Sequence, residues 1–192
     1  SQDPPAGPTG TKAGIAAFEV WAVDQSATAS EGHGGLIYIW DGAEISSNAS
    51  EATPEKIDLA VAAKDAGCDV PKKPHMVLAN HASPKSSHVV LANVGSGDTF
   101  FINIASRTIV GCVNTIGGFN GAGGTANTHA AAASTDNSMA IVANIGAKGE
   151  SGFLHKIQTN YTNDDYNFVE TLSLDQFSND LGTSVARPIC HD

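Results

Sequence analysis

The chain is 192 residues long, 41% hydrophobic but only 6% aromatic, with 20 glycines and a formal net charge of -10. Few aromatics and many glycines suit an all-β fold whose core is Val, Ile, Leu and Ala, cut by frequent turns. The acidity excludes a nucleic-acid binder, which needs a basic face to neutralise phosphates, and excludes docking on anionic lipid; no apolar run approaches the roughly 20 residues of a membrane span.

Residues 1–16 begin SQDPPAGPTGTKAG. Pro, Gly and small polar residues bury too little apolar surface to order a chain, so an extended arm is expected. It reads as a mature N-terminus left by processing, which points to a secreted or periplasmic protein.

Residues 17–62 carry three short apolar runs: 19–25 (EVWAVDQ), 35–41 (GLIYIWD) and 55–61 (EKIDLAV). Each reads as a strand. Residues 54–66 (PEKIDLAVAAKDA) also have helix-friendly spacing, but comparison with the later copies favours a strand over 55–61. In the connection 63–74, Pro71 and Pro74 discourage helix.

Residues 75–113 read HMVLANHASPKSSHVVLANVGSGDTFFINIASRTIVGCV. Four runs, 76–79, 89–92, 99–104 and 108–113, are rich in Val, Ile, Phe and Thr and separated by the polar turns HASPKSS, NVGSGD and ASR. That is an antiparallel meander, and four such strands in about forty residues make one β-propeller blade. A blade cannot bury both faces alone, so copies are expected. The Gly-rich loop 115–127 (TIGGFNGAGGTAN) lacks the strand–helix context of a phosphate loop and reads as a flexible turn.

The copy follows. Residues 129–134 (HAAAAS) stand where 75–80 stand, and 140–146 (AIVANIG) repeat 90–95 (VLANVG). Residues 152–158 (GFLHKIQ) and 167–173 (NFVETLS) take the third and fourth places, with the polar turn 160–167 (NYTNDDYN) between. The first copy, 17–62, matches strands two to four and lacks the innermost one. A further copy begins at 187–192 (RPICHD).

The blades VVLANVG…FFINIASRTIVGCV and AIVANIG…FLHKIQTN…FVETLS resemble the YVTN-type seven-bladed propellers, which overlap with the haem d1-domain-like and nitrous-oxide-reductase-like propellers. The resemblance covers about residues 17–192. It implies four-stranded antiparallel blades set radially, with about three and a half present: 17–62, 75–113, 129–173 and the start of the next at 187–192. A whole ring in that family needs about twice this length. The expected partner is therefore the remainder of the propeller, in the same polypeptide or in a second chain.

Of seven histidines, three hold related places. His75 and His129 open the innermost strands of successive blades, and His191 lies at the start of the next. Innermost strands line the axial channel, so three imidazoles converge near one mouth. Aligning Lys73-Pro74 with Arg187-Pro188 sets His191 two residues further on, which keeps it on the same side of the strand. Converging neutral imidazoles suit Cu, Zn, Ni or Fe. In nitrous-oxide-reductase-like propellers axial histidines hold copper, and the resemblance would make His75, His129 and His191 ligands of copper or another transition metal. His33, in the turn EGHGG, reads as solvated; His81, His88 and His155 read as surface or blade-packing residues.

Cys68, Cys112 and Cys190 form no CxxC, which excludes a zinc ribbon or thioredoxin motif, and no CxxCH, which leaves c-type haem unsupported. A Cys68–Cys112 bridge is one open pairing. No serine sits in GxSxG, and Asp24, Asp164 and Asp165 lack a partner carboxylate at readable spacing. Two functions stay open: a secreted or periplasmic binding or scaffold module, and a metal-dependent, copper-type oxidoreductase.

Overall fold

The computed structural model describes residues 18–82 and 85–177. The expected arm at 1–16 and the expected copy at 187–192 lie outside the described residues. In chain order the elements are β1 (Glu19–Asp24), β2 (Leu36–Asp41), α1 (Gly42–Asn48), β3 (Glu55–Asp58), α2 (Leu59–Asp65), β4 (Pro74–Ala79), β5 (His88–Asn93), β6 (Asp98–Asn103), β7 (Thr108–Asn114), β8 (Thr128–Ala133), β9 (Met139–Asn144), β10 (Phe153–Asn160) and β11 (Asp165–Ser173). They form three antiparallel sheets, ordered β1-β2-β3, β4-β5-β6-β7 and β8-β9-β10-β11. Each is a meander, and the strands fall where the apolar runs are.

Alternation along β5 and β6 explains the stacking. Val89, Leu91, Phe100 and Ile102 face the first sheet and pack with Ile37, Ile39, Ile57, Leu59 and Ala63. Val90, Ala92 and Phe101 face the third sheet and pack with Ala131, Ala140, Val142 and Ile157. The middle sheet is thus buried on both faces, which is why its strands read as unbroken apolar runs. Each fully buried Phe or Leu in it contributes about 1.5–3 kcal/mol.

The two four-stranded sheets repeat even in their irregularities. In each, the first strand carries a bulge near its start, at Pro74/Met76 and at Thr128/Ala130. In each, the ladder between the third and fourth strands shifts register, at Phe101/Ile102 and at Lys156/Ile157.

One expectation needs correction. Residues 59–61 are not strand: β3 ends at Asp58 and α2 takes over. The Asp58 carboxylate accepts from the N–H groups of Ala60 and Val61, an N-cap that starts the helix. Leu59, Ala60 and Ala63 are its buried residues. The same device makes α1, which the strand pattern does not reveal: Asp41, the last residue of β2, accepts from Ala43 and Glu44.

Neighbouring sheets are also clasped at their hairpin ends. Arg107, at φ 61° in the β6–β7 turn, reaches Glu19 at 2.5 Å and Glu55 at 3.1 Å on the first sheet. Asp164, at φ 52° in the β10–β11 turn, reaches His88 at 3.0 Å on the middle sheet. A Cys68–Cys112 disulfide, Cα–Cα 6.2 Å, ties the segment after α2 to β7. Closing a loop of that length removes about 4 kcal/mol of unfolded-chain entropy in the loop-closure picture.

Candidate functional site

The structure brings His75 and His129 together. Each is the extra residue of its sheet's first-strand bulge: Pro74 pairs with Asn93 and Met76 with Ala92, while Thr128 pairs with Asn144 and Ala130 with Ala143. A bulge turns its unpaired residue out of the ladder and re-aims the side chain. Here the twin bulges bring the two rings to a centroid distance of 4.2 Å with a 43° tilt.

Hydrogen bonding fixes the tautomer of one ring. The His129 carbonyl lies 3.2 Å from His75 Nδ1. A carbonyl accepts, so His75 Nδ1 carries the proton and Nε2 holds a free lone pair. His129 Nδ1 is buried and has no hydrogen-bond partner among the described residues. Burial, and then the neighbouring His75, hold the His129 imidazole below its ordinary pKa. The second ring is therefore neutral at pH 7, as a metal ligand must be.

The cross-strand partner next to each bulge is an asparagine. Asn144, opposite Thr128, is satisfied by Thr125 and by the Gly146 N–H. Its counterpart Asn93, opposite Pro74, is fully buried, and neither its amide nitrogen nor its oxygen has a partner among the described residues. The repeat conserves the position of this amide but not its bonding.

Two nitrogens fall short of the three or four protein ligands of an ordinary transition-metal site. No group of three or more His, Cys, Asp or Glu able to hold a metal occurs among the described residues. His191, the third expected ligand, and Cys190 lie outside them. His33 does not extend the pair into such a group; its carbonyl takes the N–H groups of Thr28 and Ala29. His81 is exposed and joined to Asn137, whose side chain accepts from its N–H. His88 and His155 are buried, at 2% and 0% exposure, and stand apart from the pair.

Sequence reasoning passed over the His88–Asp164 contact and the Ser87 hydroxyl beside it. The available signal was positional: Asp164 stands in its hairpin where Arg107 stands in the preceding one, and both reach back one sheet. No helix among the described residues is long and apolar enough to cross a membrane.

The sheets and the paired histidines define an antiparallel all-β protein with a two-imidazole cluster. No protein-family model matches the chain, and no curated protein does. Solved structures to which the chain is similar include a hypothetical selenium-binding protein from Sulfolobus tokodaii, at TM-score 0.48 and 16% identity over 73% of this chain. This chain spans 35% of that protein's length.

Proposed function

We propose that the chain is part of a β-propeller of the YVTN or nitrous-oxide-reductase-like kind and serves as a secreted or periplasmic binding module. Support for the propeller comes from meanders that stack face to face and repeat down to their bulges. Its partner is the remainder of the ring, as further sheets of the same repeat. The Cys68–Cys112 disulfide supports an oxidising compartment, since cytosolic thiols stay reduced.

The ligand of the module is a transition-metal ion, and the observation that carries this is the His75–His129 pair at the twin bulges. His75 is oriented by a carbonyl behind it, the arrangement that typically backs a metal-bound imidazole. A copper-type oxidoreductase is the second reading. It rests on the same pair, with His191 as the third nitrogen and copper supplying the redox chemistry.

Equilibrium dialysis against Cu²⁺, and separately Zn²⁺, tests this. About one ion should bind per chain, and His75→Ala together with His129→Ala should weaken binding by more than tenfold. Unchanged binding in the double variant removes the metal reading and leaves the module without its ligand.

A further inference from the structure

A second polar constellation lies at the opposite ends of the strands from the histidine pair. His75 sits at the start of β4, whereas Ser87 and His88 sit where β4 has ended and β5 begins. We propose that Ser87 is the nucleophile of an acyl-transfer site that hydrolyses short acyl esters of polyhydroxylated alcohols, with His88 as its base and Asp164 as the positioning residue.

The hydrogen bonds run in one direction. Asp164 Oδ1 lies 3.0 Å from His88 Nε2 and accepts its proton. Nδ1 is then left as a lone pair, and Ser87 Oγ lies 2.8 Å from it. The serine hydroxyl donates to the imidazole, which is the polarity a serine nucleophile requires. Tyr166 holds the carboxylate in place, its hydroxyl donating to Asp164 Oδ1 at 3.2 Å. Ser87 is exposed while His88 is buried, so the nucleophile is reachable and its base is shielded.

An oxyanion donor stands beside the nucleophile. Asn80 is 3% exposed and accepts the backbone N–H groups of both Ser87 and His88 on Oδ1. Its Nδ2 donates to Ser87 Oγ at 3.1 Å; once Oγ is bonded to the acyl carbon, that amide can turn to the adjacent carbonyl oxygen as it becomes negative. The serine opens on a cleft of about 670 Å³ lined by Asn80, Asn137, Gln158, Tyr161 and Asn167 among others. Amide and hydroxyl groups alternating donors and acceptors suit an alcohol with several hydroxyls.

The repeat sharpens the point. The equivalent clasp one sheet earlier is Arg107 on Glu19, an ion pair with no imidazole, and Phe18 stands where Ser87 does. The second clasp keeps the geometry and replaces the pair with groups that can move a proton.

In the first step Ser87 Oγ bonds to the acyl carbon while its proton passes to His88 Nδ1. The carbon–oxygen bond to the alcohol then breaks as His88 returns that proton to the leaving oxygen. Water, losing a proton to His88 Nδ1, attacks the acyl-serine. The bond to Oγ breaks, the carboxylic acid departs, and Ser87 regains its proton. The net reaction is ester and water to acid and alcohol.

The test treats the folded protein with a fluorophosphonate and maps the adduct by mass spectrometry, then assays p-nitrophenyl acetate and glucose pentaacetate. We expect one adduct, on Ser87, lost on heat unfolding and in Ser87→Ala. Asp164→Asn favours the wrong tautomer and should lower kcat about a hundredfold with KM unchanged. His88 is buried and its variants are at risk of misfolding, so the wild-type adduct decides. A folded wild-type protein that takes no label at Ser87, or an Asp164→Asn variant that turns over at the wild-type rate, overturns the proposal and leaves a clasp alone.

Discussion

His155 shows how one buried side chain sets a pH limit. It is fully buried, with Nδ1 2.9 Å from Thr171 Oγ1 and Phe168 edge-on to its ring at 5.5 Å. Its Nε2 has no partner among the described residues. Burial disfavours the charged ring and pulls its pKa down from 6.5 to about 4. The folded value lies below the unfolded one, so the unfolded chain binds the proton first as pH falls. Stability from this group is complete above about pH 6.5 and is lost progressively toward pH 4, by on the order of 3 kcal/mol. His129, shifted the same way, adds to the loss. Urea midpoints measured between pH 7.5 and 4 should fall, and His155→Gln should remove most of that slope. A wild-type midpoint that stays level to pH 4.5 would contradict the account.

Among the elements, α2 depends on its cap. The Asp58 carboxylate accepts two backbone N–H groups of the first turn and the Thr28 hydroxyl at 3.0 Å. Asp58→Ala leaves those donors unpaired at the junction of β3 and α2, and should cost about 1–2 kcal/mol. Chemical denaturation of the variant reads the loss directly; Asp58→Asn, which still accepts, should recover most of it. This helix also marks where the sequence was hard to read. The strands were legible because their alternation is regular and because three copies could be laid over one another. β3 and α2 were not separable, since EKIDLAV is apolar at both spacings and the deciding event is a side chain capping the next turn. The histidine pair was legible because the repeat places His75 and His129 at one position. The His88–Asp164 contact was hidden, because it joins different positions of two copies and its counterpart uses other residue types.

Among the described residues the sheets form a stack whose middle sheet is covered and whose flanks are not. Alternation that sends Ala140, Val142 and Ile157 inward sends Ile141 and Leu172 outward, where they are 37% and 39% exposed. On the first sheet Val20 faces out at 37% exposure, near the stacked rings of Tyr38 and Trp40. Apolar side chains in register on a sheet face are what the middle sheet buries against its neighbours, so the flanks suit a further sheet of the same kind. Without one, burial of these faces drives association between copies. Sedimentation of the 192-residue chain should therefore show concentration-dependent assembly, and Ile141→Asp with Leu172→Asp should shift it toward a 19.6 kDa monomer. The substitutions sit on the outer face, away from both packed clusters, so the variant should keep its cooperative unfolding. A wild-type chain that sediments as a monomer at every concentration shows that these flanks need no cover, and the ring loses its main physical support.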